Sequence, residues 1–183
     1  VINLDKLSYG YQAIDKCHLY LIQGLLVSAK PKAVLELGVG TGNVSQVILQ
    51  ALSYNGWGKL TCVDNWQDWK GKQPPIAAEL VKSGADVVTM SERDYVRNNT
   101  STKFDFIMSD GAHGASHLWC DALYDMLRPN GYLVAHDVTN RNFQNLKRYI
   151  TEAKSRKYSQ MLYQTSSRED ERCERGLLIV TNC

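Results

Sequence analysis

Apolar positions along this chain recur in two alternating periods, one helical and one strand-like. Over 12–29, Ile14, Cys17, Leu21, Leu25 and Val27 fall at near-helical spacing and Pro31 closes the pattern, which predicts an amphipathic helix. Ala33-Val34-Leu35-Glu36-Leu37 then reads as a short apolar strand running into a glycine-rich turn. From Asn43 to Leu52, Val44, Val47, Ile48 and Ala51 share one helical face, and Leu60-Thr61-Cys62-Val63 is a second strand ending at Asp64. A polar, aromatic loop over 65–75 finishes on Pro74-Pro75. Beyond it the pattern predicts a helix over 76–82, strands over 86–90 and 104–108, and a helix over 117–127 stopped by Arg128-Pro129-Asn130-Gly131. A fifth strand over 132–135, a helix over 141–155 and two closing strands over 159–164 and 177–180 complete the reading, with the polar stretch 165–175 between the last two.

Strands alternating with helices call for an α/β fold: a Rossmann-like three-layer sandwich whose seven-stranded sheet is mostly parallel. No helix separates the last two strands, so one antiparallel edge strand is expected. In such sheets ligands sit beyond the carboxyl ends of the strands. Those positions here are Glu36–Gly42, Asp64–Trp66, Ser91, Asp110–His113 and His136–Asp137, nearly all polar or glycine.

Length and composition narrow the class without changing this picture. The 183 residues fit one domain over 1–183, with an N-terminal helical segment over 1–30 and the sandwich core over 31–183. No apolar run approaches the ~20 residues of a membrane span, and the first residues lack the basic start and apolar stretch of a signal peptide. Five cysteines, an odd number without CxxC spacing, argue against a disulfide framework or a thiolate zinc site, so a cytoplasmic setting is expected. With 21 Lys+Arg against 19 Asp+Glu, the net charge of +2 offers nothing to track a phosphate backbone.

The turn Glu36-Leu37-Gly38-Val39-Gly40-Thr41-Gly42 follows a strand and opens a helix, where glycines let the backbone approach a ligand at a helix N-terminus. A dinucleotide fingerprint, G-x-G-x-x-G, would need glycine at position 43, which is Asn. The spacing G-x-G-x-G after Glu36 instead resembles the first motif of class I S-adenosylmethionine-dependent methyltransferases. That resemblance implies that Glu36 and the loop backbone at Gly38, Gly40, Thr41 and Gly42 hold the methionine end of the cofactor. Asp64 is placed to accept from both ribose hydroxyls, although a nicotinamide site uses that position too.

At the fourth and fifth strand ends, Asp110-Gly111-Ala112-His113 and His136-Asp137 bring carboxylates and imidazoles together. Such a cluster is costly unless a cation binds there, and oxygen-rich ligation suits Mg²⁺, Mn²⁺ or Ca²⁺ better than zinc. Asp64-Asn65-Trp66, the run Phe104 to His113, and Leu127-Arg128-Pro129-Asn130-Gly131 before His136-Asp137 together resemble a metal-dependent O-methyltransferase family. That family is related to catechol O-methyltransferase and includes macrolide-sugar O-methyltransferases. The similarity runs from about residue 33 to 138. It implies S-adenosyl-L-methionine as cofactor, held also by Asn65, Trp66, Ser91 and Asp110, and a divalent cation, Mg²⁺ first, on Asp110 and Asp137. His113 becomes the general base, with Asp110 the second catalytic residue. His136-Asp137 stands where the catechol enzymes carry Asp-Asn, which makes His136 a third candidate ligand. Asp68-Trp69 replaces the Gly-Asp expected after Trp66.

The function that follows is methyl transfer to a hydroxyl of a small molecule. Two competitors share the fold: an RNA-cap-type 2′-O-methyltransferase and a non-catalytic cofactor-binding scaffold. The first needs a lysine where His136 stands, and the near-neutral charge argues against nucleic acid as partner. Trp119 and His18 are expected to be ordinary helix residues, Trp119 in the core. Whether the chain forms a homo-oligomer stays open.

Overall fold

A computed structural model describes residues 14–66, 75–165 and 175–182. Helix α1 (Lys16–Ala29) ends where Lys30 turns left-handed (φ 50°) and its N–H donates to the Leu26 carbonyl. Strand β1 (Ala33–Leu37), helix α2 (Asn43–Asn55) and strand β2 (Lys59–Asp64) follow. Then come α3 (Pro75–Lys82), β3 (Asp86–Thr89), α4 (Glu92–Asn98) and β4 (Phe104–Ser109). The remainder is α5 (Cys120–Asp125), β5 (Leu127–Ala135), α6 (Lys147–Ser155), β6 (Ser159–Thr165) and β7 (Arg175–Thr181).

The sheet order is β3-β2-β1-β4-β5-β7-β6. Alternate residues of each central strand feed opposite faces: Val34, Phe106 and Met108 join Leu19, Ile22 and Val47 on one side. Leu35, Leu37 and Ile107 join Val96, Leu123 and Tyr149 on the other. Both faces are covered, which is why these strands read as continuous apolar runs. Asp105 at the start of β4 locks the bottom of the sheet, its Oδ2 accepting from the Lys32 and Ala33 N–H groups at 2.9 and 2.8 Å while Arg128 pairs with Oδ1 at 3.1 Å.

As expected, one strand runs against the rest. It is β7, antiparallel to both neighbours, and it lies inside β6. The reason is hydrophobic: Leu177, Leu178 and Val180 of β7 are wholly buried, whereas Met161, Leu162 and Tyr163 of β6 are exposed, so β6 takes the edge. No helix among the described residues is long and apolar enough to cross a membrane.

Several boundaries differ from the sequence expectation. Helix α4 has no counterpart in it. The helix expected over 117–127 is a 3₁₀ turn, Ser116–Leu118, followed by the short α5. The Arg128–Gly131 stop belongs to β5, as an irregularity between the Phe104↔Leu127 and Phe106↔Tyr132 pairings. The helix over 141–155 is broken at Phe143 (φ −126°, ψ 49°) into a 3₁₀ segment, Arg141–Leu146, and α6. Asp68-Trp69 and most of the loops over 65–75 and 165–175 lie outside the described residues, as does residues 1–13 of the N-terminal segment.

Candidate active site

The ends of β1, β2, β4 and β5 open on a cavity of about 660 Å³, within the range of small-molecule and cofactor pockets. The glycine loop forms one wall. Gly38 takes φ 85°, and a Cβ there would lie 2.5 Å from the Gly111 backbone, so the β1 and β4 loops touch backbone to backbone. At Gly40 (φ 51°) a Cβ would meet nothing within 4 Å, and the residue faces the cavity. Asp64 holds the loop: its Oδ2 accepts from the Val39 and Gly40 N–H groups at 2.8 and 3.0 Å, and Oδ1 from the Trp66 N–H at 2.6 Å. A carboxylate offers about four acceptor positions, so at least one remains for a ligand hydroxyl.

The opposite wall carries the ionisable cluster. His136 Nδ1–H donates to Asp110 Oδ1 at 2.8 Å and lies 3.7 Å from Asp137 Oδ2. His113 Nε2 stands 3.6 Å from the same Asp137 oxygen, its ring stacked on Phe143 with centroids 5.0 Å apart. Arg175 Nε is 4.0 Å from Asp137 Oδ1. Burial alone would raise the Asp110 carboxyl, but the charges of His136, His113 and Arg175 outweigh it and hold the group below its ordinary value. Burial likewise disfavours charge on His136, yet Asp110 and Asp137 raise it above an ordinary histidine. Two carboxylates and an imidazole on one wall form a donor set suited to a divalent cation.

The cavity wall also holds strain and unmet polarity. Trp66 (φ 46°), Ala112 (φ 36°) and Asp137 (φ 60°) all adopt left-handed backbone there, a cost that recurs at functional sites. Trp66 Nε1 and Glu92 Oε2 are buried without a hydrogen-bond partner among the described residues. Burial, then the nearby Asp64 and Asp110 charges, push the Glu92 carboxyl up to about 8. These orphaned groups fit a polar ligand able to satisfy them.

Of the expected site residues, Gly38, Gly40, Asp64, Asn65, Trp66, Ser91, Asp110, His113, His136 and Asp137 meet on this cavity. Glu36, Thr41 and Gly42 are absent from its lining. Glu36 is wholly buried beneath the loop, where the Cys62 thiol donates to its Oε2 at 3.3 Å. Ser91 also caps α4, its Oγ accepting from the Asp94 N–H at 3.1 Å. Trp119 lines the cavity and, partly buried, also packs against the core face that holds Leu123 and Tyr149. His18 is no ordinary helix residue: it is fully buried, shares a hydrogen bond with His136 at 3.2 Å, and burial and the His136 charge push it down to about 4.

Sequence reasoning missed Glu92, Asn140, Phe143 and Arg175. Glu92 was discoverable from Ser91-Glu92-Arg93-Asp94, a capping pattern that starts a helix directly after a strand. Phe143 and Arg175 carried no such signal, since a kink and a strand reversal bring them in.

Comparison with known proteins places the fold. A sequence search of curated proteins finds no match. An O-methyltransferase from Bacillus cereus in complex with SAH superposes with a TM-score of 0.77 at 14% identity, over 95% of this chain and 84% of that one. The O-methyltransferase TomG from Streptomyces achromogenes, involved in tomaymycin synthesis and in complex with SAM, gives 0.72 at 16% identity, over 93% and 82%. A precorrin-6y C5,15-methyltransferase from Geobacter metallireducens gives 0.68 at 14% identity, over 96% and 94%. At these identities the likeness is one of fold, and it spans acceptors of different chemistry. The family model described as "Methyltransferase domain" matches residues 35–138, more than half of the sequence, and the chain belongs to that family.

Proposed function

We propose that this chain is an S-adenosylmethionine-dependent O-methyltransferase acting on a hydroxyl of a small molecule, with a divalent cation, Mg²⁺ first, held by Asp110 and Asp137. The observation that carries this reading is the pairing, across one cavity, of the Asp64-tethered glycine loop with carboxylates flanked by the half-buried His113. Bound S-adenosylmethionine supplies an electrophilic methyl group whose transfer to oxygen is an in-line displacement. A bound divalent cation supplies positive charge that orients a hydroxyl and lowers its pKa.

The chain's own residues do the rest. Gly40 leaves room for the methionine end of the cofactor, while Asp64 and the Trp66 Nε1 and Glu92 Oε2 atoms, without a partner among the described residues, offer polar contacts along the same wall. His136 orients Asp110 through its 2.8 Å hydrogen bond. His113 Nε2 takes the acceptor's proton, its ring held against Phe143 and the resulting charge balanced by Asp137 at 3.6 Å. Alignment of acceptor and donor is worth as much as ~7–11 kcal/mol in well-positioned systems. A small acceptor is favoured because the net charge of +2 gives nucleic acid no surface to follow and His136 stands where the RNA-cap enzymes need lysine.

Methyl-labelled S-adenosylmethionine with a vicinal diphenol as acceptor tests the reading. Label should reach the diphenol oxygen in Mg²⁺ and fall to background in excess chelator; full transfer in chelator would remove the cation. His113→Ala should lower turnover ~10²–10⁴-fold with cofactor affinity unchanged, and unaltered turnover would remove His113 as base.

A further inference from the structure

We propose that Asp15, His18 and His136 form a second metal site, for a borderline divalent transition-metal ion, on the far side of His136 from the Asp110/Asp137 pair. Asp15 and His18 are three residues apart at the start of α1 and so share a face, and His136 comes to them from the end of β5. The His18 Nδ1 and His136 Nε2 atoms are 3.2 Å apart, Asp15 Oδ2 is 4.0 Å from His18 Nδ1, and all three donor atoms lie within 4.8 Å of one another. Ligands at ~2.0–2.1 Å around a tetrahedral ion are separated by roughly 3.4 Å, so the set closes if the Asp15 carboxylate draws in by up to about 1.4 Å.

Two further features favour an ion over a mere imidazole pair. His136 has Nδ1 committed to Asp110 at 2.8 Å, which fixes its ring with Nε2 facing His18; this is the carboxylate–histidine arrangement that supports metal-bound imidazoles. The site is enclosed: His18 is fully buried, its ring edge-on to both His136 and Tyr163. Two nitrogens and one carboxylate select zinc, cobalt or nickel over magnesium, and leave one position open for water. The inference needs only this geometry and stands whether or not the cavity transfers methyl groups.

Equilibrium dialysis of the full, chelator-stripped chain against Zn²⁺ in millimolar Mg²⁺, with Co²⁺ as a spectroscopic probe, tests it. We expect one tightly held Zn²⁺, a visible Co²⁺ spectrum of four-coordinate type, and a melting temperature raised by Zn²⁺. His18→Gln should weaken Zn²⁺ by on the order of 100-fold or more and abolish the Co²⁺ spectrum, whereas Asp137→Asn should leave both. Should His18→Gln fail to fold, Asp15→Asn, which removes one ligand charge at nearly constant shape, must show the same loss. No Zn²⁺ retained against Mg²⁺, Zn²⁺ indifferent to the changes at His18 and Asp15, or Zn²⁺ lost in Asp137→Asn would each overturn the site.

Discussion

A carboxyl enclosed by protein keeps its proton, and Glu36 lies wholly inside the sheet beneath the glycine loop. Burial pushes it up to about 8 from an ordinary 4.5. Below pH 4.5 the group is protonated in both folded and unfolded chains. Between 4.5 and about 8 only the folded chain retains the proton, so stability falls as pH rises through that window, by at most ~1.4 kcal/mol per pH unit for one such group. Glutamine is neutral throughout. Urea unfolding at pH 5.5, 6.5 and 7.5 should therefore give a shallower decline for Glu36→Gln than for the parent, while parallel profiles would mean that Glu36 is ionised in the fold. Its sequence motif implies a part in holding the cofactor, and in the fold its side chain is buried with Oε2 accepting from Cys62. A strand residue's facing depends on register, and one residue of register decides it.

Among the elements, α4 shows most clearly what local sequence can and cannot reveal. It has only seven residues, Glu92–Asn98, and a single turn of apolar periodicity, too short a stretch to mark a helix. Its start was nonetheless written in Ser91 and Asp94. Ser91→Ala removes the cap and should cost about 1 kcal/mol in urea unfolding; a change below a few tenths would show that tertiary packing alone holds this helix. The five parallel strands were legible because their apolar runs are short and bounded by glycine, proline or charge. The break at Phe143 and the placement of β7 inside β6 were not, because both are set by contacts between distant segments.

At the scale of the whole molecule, the sheet order puts β1 beside β4, and the crevice at that switch point gathers most of the residues singled out from strand ends. Topology accounts for this convergence: in a parallel sheet every strand ends on the same side, so a list of strand ends is already a list of neighbours. Glu92, reached through α4, Phe143, reached through a kink, and Arg175, reached through the reversed strand, enter the crevice by routes that a strand list does not contain. On the reading proposed above, this crevice holds S-adenosylmethionine against the glycine loop. Calorimetric titration with S-adenosylhomocysteine should give one site per chain, abolished by Gly40→Asn, which tolerates the left-handed backbone but fills the space that Gly40 leaves open. Absence of binding by the parent chain, or equal binding by Gly40→Asn, would contradict the account.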